Sequence, residues 1–284
     1  MLGGAAIGWR PLDEWGQAPT ELARLAGEDM VDVAVVTKAD AFEVEPKRML
    51  RPPRSEMRFA DLVSLLASQR DVNLTLYTRQ APLWTMPGLL SAVVPHRWMT
   101  NLRVLDLNIW AGDGLFRNTL HNDPYDNFLC VLRGTKHVLT FPPEAHDLLY
   151  YAKRNDWQAY YLPSVGEIRR RDVGIVSDNT AGVNMAEPDH LAFPLLREAL
   201  GQSAYTQVHA GDCLYLPRYH HHHVFSEADP QTGYNLAINV WVDRERSLAQ
   251  GAAPVAEVDE LAPTLEQIQA ALQRANSCDA NGSV

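Results

Sequence analysis

His121 and Asp123 stand two residues apart, directly ahead of the run DNFLCVLRGTKHVLTFPP (126–143). Side chains in extended backbone alternate with a period of two, so both groups fall on one face. One imidazole nitrogen and one carboxylate oxygen can then meet a single metal ion. That mixed donor set suits a non-haem Fe(II) centre with open positions, whereas paired thiolates would have pointed to zinc or an iron–sulfur cluster. Such a centre still needs a second His. An H-x-D pair alone is common, and a chance surface pair is the plain alternative. The residues that follow are more restrictive. Phe128 to Leu132 reads as a strand, Arg133-Gly134 as a tight turn, and Val138 to Phe141 as a second strand stopped by Pro142-Pro143. Lys136 lies near the start of that second strand with apolar residues close on both sides. A strand Lys is usually a solvated edge residue, but a barrel interior that binds an anion needs one cation at depth.

With 284 residues, 46% of them hydrophobic, the chain can bury a full core. The length suits one large domain over 1–250, including an N-terminal helix and strand extension and an insertion at 150–204. A helical segment and frayed tail at 251–284 would follow. No apolar run is long enough to span a bilayer, and MLGGAAIGWRP has no basic residue ahead of its short apolar patch, which argues against a signal peptide or anchor. The three Cys (Cys130, Cys213 and Cys278) have no metal or redox spacing. They are expected to be packed free thiols in a reducing compartment, the cytoplasm, with the nucleus as the alternative. The net charge of −10 disfavours nucleic acid, for which a basic face would be the footprint, and is compatible with a basic protein or peptide partner. Arg169-Arg170-Arg171 reads as a solvated loop.

Residues 19 to 28 read as a helix and Met30 to Val36 as a strand, followed by a polar, Pro-bearing stretch from Asp40 to Arg54. Ser55 to Leu66 reads as an amphipathic helix capped by Ser55. Val72 to Gln80 alternates like a strand, and its Tyr77 either points into the core or satisfies its hydroxyl at the surface. Leu102 to Trp110 and Leu115 to Leu120 supply two more strands, and Glu144 to Tyr151 a short helix. About fifty residues of weak periodicity then suggest a lid or a substrate-facing loop. Strand signals return at Tyr205 to Val208 and Cys213 to Leu216. The run His220 to His223 continues into Val224-Phe225, so part of it must lie in a strand where only alternate side chains face inward. In the strand Tyr234 to Val242, Asn235, Ala237, Asn239 and Trp241 share a face, and buried amides need partners or a ligand. The amphipathic helix beginning at Pro263 could pair with a copy of itself as a homodimer contact.

Taken together, LH-x-D-xxx-N with Lys136 beyond it, FPP, then GD-x-LYLP, a His five residues after that Pro, and an N-x-W strand resemble the Jumonji C family of Fe(II)- and 2-oxoglutarate-dependent oxygenases. The likeness extends, with gaps, from about residue 8 to about residue 250. It implies a mainly β fold with flanking helices, a cupin-like double-stranded β-helix or jelly roll. It implies His121, Asp123 and His222 as iron ligands and Lys136 as the partner of the far carboxylate of 2-oxoglutarate. Asn127 and Asn239 would line the same pocket and Tyr77 would approach it. The family's Thr three residues before the first ligand is replaced by Asn118, with Thr119 next to it, so one of these two should contact the cosubstrate. The family also prefers aromatics where this chain has His220 and His221.

The activity so implied consumes dioxygen and 2-oxoglutarate and hydroxylates a protein side chain. The lysyl hydroxylases acting on GTP-binding proteins are the most similar branch. Asp126 is then a candidate partner for a substrate ammonium at the mouth. Lysine N-demethylation uses the same centre and is one alternative; a silent binding scaffold is the other.

Overall fold

The computed structural model describes residues 1–15, 19–36, 43–45, 47–68, 74–78, 80–93 and 103–243. The helix expected from Pro263 and the tail lie outside the described residues. In chain order come α1 (Arg10–Trp15), α2 (Pro19–Ala26), β1 (Met30–Val36), β2 (Glu43–Val44), β3 (Arg48–Arg51), β4 (Arg54–Arg58), α3 (Phe59–Ala67), β5 (Thr75–Thr78), β6 (Ala81–Pro82) and α4 (Pro87–Ala92). The second half supplies β7 (Arg103–Gly112), β8 (Asp126–Arg133), β9 (Thr135–Phe141), β10 (Arg154–Leu162), β11 (Glu167–Ser177), α5 (Leu196–Leu200), β12 (Ala204–His209), β13 (Cys213–Leu216), β14 (His221–Glu227) and β15 (Asn235–Asp243). Among the described residues no helix is long and apolar enough to cross a membrane.

The strands form a large sheet, β13-β8-β15-β7-β5-β1-β4 with β6 beside β7, and a three-stranded sheet, β12-β9-β14. A third sheet, β11-β10-β3-β2, lies apart from both. β15 is central because it pairs antiparallel with β7 on one side and β8 on the other. Its period of two then divides the molecule. Leu236, Ile238 and Val240 pack outward with Trp15, Leu22, Phe59 and Leu62 of the helices. On the opposite face, Ala237 joins Leu129, Val131, Val138, Val208, Leu214 and Val224 in a core between the large and three-stranded sheets. Both faces buried by opposed antiparallel sheets is the jelly-roll solution to hiding two-sided strands. The expected mainly β, cupin-like architecture is therefore the observed one. The β8–β9 turn requires Gly134: its φ is +71°, and a Cβ would sit 2.2 Å from the Glu227 carbonyl oxygen.

Several local expectations are corrected. Ser55 to Arg58 is strand rather than the start of a helix, because β4 pairs with β1 (Ser55 opposite Val33, Met57 opposite Val31) and α3 begins only at Phe59. Leu115 to Leu120 makes single bridges and lone hydrogen bonds to β14 rather than a strand of its own. The stretch expected as a loop after residue 150 holds a long hairpin, β10–β11, with the Arg169-Arg170-Arg171 run inside β11. Two cysteines are not free thiols: Cys130 and Cys213, 83 residues apart, form a disulfide. The β8–β13 register sets these two residues directly opposite each other, a proximity that sequence spacing does not encode.

Candidate metal centre

Local backbone pairing brings the ligand-type residues together. His121 and His222 exchange both backbone hydrogen bonds, at 3.1 and 2.7 Å, so the segment before Asp123 runs antiparallel beside the start of β14. On its other side that segment is held by Asn179 and Ala181, which bond Asn122 and Leu120. The donor atoms of His121, Asp123 and His222 consequently lie within 4.8 Å of one another. Asp123 Oδ2 is 3.8 Å from His121 Nε2 and 3.7 Å from His222 Nε2.

Both rings are oriented from behind. His121 Nδ1 contacts the Thr119 carbonyl at 2.7 Å and His222 Nδ1 the His220 carbonyl at 3.0 Å. A carbonyl only accepts, so each imidazole carries its proton on Nδ1 and turns the lone pair of Nε2 toward Asp123. Burial, followed by the neighbouring His121 ring, holds His222 below the usual imidazole range. It is therefore neutral near pH 7, the form that binds a metal. Two imidazoles and one carboxylate, converging without a thiolate, fit a divalent first-row ion that keeps open positions.

The alternation expected for the His run is present. His222 faces Asp123, while His221 turns the other way, its Nδ1 2.8 Å from the Tyr151 hydroxyl and its Nε2 3.3 Å from the Pro143 carbonyl. A cavity of about 460 Å³ opens on that outward side, lined by Asn122, His146, Tyr151, Tyr219 and His221 among others, and no member of the triad lines it.

Farther along β9 and β14, Lys136 is 1% exposed. Its Nζ donates to Ser226 Oγ at 2.7 Å and to the Tyr77 hydroxyl at 3.2 Å. Burial lowers its pKa to about 7. Hydroxyls solvate an ammonium but do not neutralise it, so the site is suited to receive an anion. Tyr77 stacks on Phe116 at 3.8 Å, and burial raises the pKa of its phenol while contacts from Ser226 and Asn118 oppose the rise. Gly112 permits this placement, since a Cβ there would lie 2.5 Å from the Tyr77 ring. Asn118 thus joins the Lys136 cluster, whereas Thr119 supplies its carbonyl to His121. Asn239 accepts from Trp110 Nε1 at 2.7 Å and donates to Asn127 Oδ1 at 3.3 Å, so both expected amides lie in one chain of contacts.

Asp126 is not at the mouth. It is 1% exposed on the outward face of β8, and its Oδ1 accepts from the Tyr215 hydroxyl at 2.8 Å and the Arg218 N–H at 3.1 Å. Facing opposite to Asn127, it cannot meet a ligand in the interior. Ser226 and Trp110 were missed from the sequence. Ser226 had a signal: it is in phase with His222 and Val224 on β14, opposite Lys136.

The family model described as Cupin-like domain matches residues 1–247. The human "Bifunctional peptidase and (3S)-lysyl hydroxylase JMJD7" is 26% identical over 255 residues, covering 84% of this chain and 75% of that protein. The Arabidopsis thaliana "Lysine-specific demethylase JMJ32" is 30% identical over 147 residues, 49% of this chain and 42% of the relative. The chain therefore spans three quarters of the first relative and about two fifths of the second. A solved structure, that of E. coli ycfD, aligns over 94% of this chain and 61% of that chain at 16% identity and TM-score 0.40, too remote to inform the site.

Proposed function

The chain belongs to the cupin-like domain family, on its JmjC oxygenase branch, and from that premise we propose that it is an Fe(II)- and 2-oxoglutarate-dependent dioxygenase that hydroxylates a lysine side chain of a protein. His121, Asp123 and His222 would hold the iron through Nε2, a carboxylate oxygen and Nε2. When bound, the iron with dioxygen would couple decarboxylation of 2-oxoglutarate, to succinate and carbon dioxide, with insertion of one oxygen atom into a substrate C–H bond.

The chain's own residues do the positioning. The Thr119 and His220 carbonyls fix the imidazole tautomers, so neither ring must reorient to bind metal. Lys136 takes the far carboxylate of 2-oxoglutarate, with Ser226 and Tyr77 holding its ammonium in place and Asn118 beside Tyr77. Asn127 and Asn239, bonded to each other, line the same interior. The rung of Lys136 and Ser226 lies four residues from that of His222 and Thr140 along β14. Four residues are roughly 13 Å of strand, a span that two inward-leaning side chains and a five-carbon dicarboxylate can bridge. Burial of these groups excludes water from the bond to be oxidised.

The single observation that carries the proposal is a buried ammonium whose hydrogen-bond partners among the described residues are two hydroxyls, on the same strand pair as a preoriented His–Asp–His set. Lysine as the target is supported by the name of the human relative, and a GTP-binding protein is the first substrate to try. The test is incubation of cell-lysate proteins with the protein, Fe(II) and 2-oxoglutarate, followed by succinate assay and peptide mass spectrometry. A gain of one oxygen atom on lysine is expected. Loss of a methylene unit from methyl-lysine would replace hydroxylation by demethylation, and no succinate above a metal-free control would overturn the oxygenase assignment.

A further inference from the structure

Beside Asn127 and Asn239, the inner face of the large sheet carries three polar side chains, Asp106, Asn108 and Trp241, that have no role in holding the metal or cosubstrate. Register sets Asp106 of β7, Trp241 of β15 and Asn127 of β8 side by side, and the next rung holds Asn108, Asn239 and Leu129. Residues opposite one another in antiparallel strands present their side chains on the same face, within contact distance.

These side chains differ sharply in how well they are satisfied. Asn239 is bonded on both sides, to Trp110 and Asn127. Asn108 is 0% exposed, yet its Oδ1 has no hydrogen-bond partner among the described residues. Asp106 Oδ1 and Trp241 Nε1 are also buried and lack partners among the described residues. Burial raises the pKa of Asp106, and hydrogen bonding from the Asn108 side chain and the Leu107 N–H opposes the rise, while Oδ1 has no partner among the described residues. Three orphaned polar atoms on two adjacent rungs would be a persistent penalty in a sheet that served packing alone, where Leu or Val would fit.

The unpaired atoms have a definite chemical preference. Asp106 Oδ1 and Asn108 Oδ1 are acceptors, Trp241 stands opposite Asp106, and its ring packs against Tyr125 with centroids 5.3 Å apart. A carboxylate, an amide carbonyl and aromatic faces together select a cation. A compact ammonium with three rotatable donors can use them, whereas a guanidinium would bring five donors in a rigid fork to two acceptors. The remaining orphan, Trp241 Nε1, is a donor suited to a peptide carbonyl. The subsite also adjoins the metal centre in sequence and space: Tyr125 and Asn127 follow Asp123 by two and four residues, and Asn127 shares the Trp241 rung.

We propose that Asp106, Asn108 and the Tyr125–Trp241 pair form the subsite that receives the ammonium group of the target lysine. The proposal rests on lysine being the substrate residue, as argued above, and gives the recognising carboxylate a position that Asp126 does not occupy.

The test is direct binding to the full chain, by tryptophan fluorescence and calorimetry, of Nα-acetyl-lysine methylamide against the norleucine and arginine analogues. Lysine should bind and norleucine should not, because the two differ in the ammonium. Asp106→Asn, close to isosteric, should weaken lysine binding roughly 10- to 100-fold, the range expected for losing one charge-assisted hydrogen bond. Asp106→Glu should restore part of it. Equal binding of lysine and norleucine, preference for arginine, no lysine binding at all, or an unaffected Asp106→Asn variant would each overturn the proposal. Should Asp106→Asn fail to fold, the lysine-over-norleucine preference of the wild type and the Asp106→Glu variant still decide the matter. Succinate formation by the wild type is scored separately. Asp106-dependent lysine binding without turnover upholds the subsite and sinks the oxygenase; turnover with lysine binding independent of Asp106 does the reverse.

Discussion

Replacing Lys136 with Met should make the ligand-free protein more stable and, in the same step, disable it. The ammonium is enclosed with two hydroxyl partners, Ser226 and Tyr77, and burial takes its pKa from an ordinary 10.5 to about 7. At about 1.4 kcal/mol per pH unit, holding that charge costs the folded state on the order of 5 kcal/mol. The sign follows from proton counting. Between pH 7 and 10.5 the unfolded chain keeps the proton that the folded one has lost, so stability rises with pH across that window. Below pH 7 both states are protonated and the cost is complete. Lys136→Met, with similar length and no charge, should therefore melt above the wild type at pH 6, and the gap should close as pH approaches 10. With 2-oxoglutarate present the order should invert. The dianion neutralises the buried cation, and losing one partner of such a pair is worth about 3–5 kcal/mol, or on the order of 10²- to 10⁴-fold in affinity. Thermal unfolding across pH, with and without 2-oxoglutarate, reads both effects. A variant that melts below the wild type at pH 6, or that binds 2-oxoglutarate as tightly, would refute the reasoning.

Three further perturbations probe the surroundings. Ser226→Ala removes the nearer partner of Lys136, at 2.7 Å, and should weaken 2-oxoglutarate about tenfold while leaving metal content at the wild-type level, measured by calorimetry and elemental analysis. Gly112→Ala would place a methyl group 2.5 Å from the Tyr77 ring and 2.9 Å from the Leu76 carbonyl oxygen. It should cost about 1–3 kcal/mol in denaturant unfolding and loosen cosubstrate binding by displacing Tyr77. Replacing both Cys130 and Cys213 with Ser should lower stability by about 2–4 kcal/mol relative to the oxidised wild type, because the cross-link closes an 83-residue loop. Adding reductant should shrink that difference, and an unchanged difference would show that packing, not the cross-link, is responsible.

How far the sequence could be read depended on whether a strand carries its own address. Met30 to Val36 is apolar enough to declare itself, and β8, Gly134 and β9 are written as strand, turn and strand, so these agree with the structure. His121 and Asp123 were legible because two residues of extended backbone suffice to pair them. Ser55 to Met57 was not, since its periodicity suits a helix and only the demand of β1 for a partner makes it strand. The hairpin β10–β11 hid for a related reason. β11 is largely solvent-exposed and mixes polar and apolar residues on both faces, so neither a period of two nor an apolar run marks it. The Cys130–Cys213 pair and the orphaned Asn108 are products of register between strands distant in the chain, which no local pattern records. Asp126 shows the converse error. The right residue type next to the right motif was one position out of phase with the interior.

The central claim is that one ferrous ion sits among His121, Asp123 and His222. Anomalous diffraction at the iron edge, from crystals grown anaerobically with Fe(II), tests it most directly. A single strong peak is expected between the Nε2 atoms of the two imidazoles and the Asp123 carboxylate, and it should vanish in Asp123→Ala. A peak on the outward side, between His146 and His221, with none at the triad, would contradict the account.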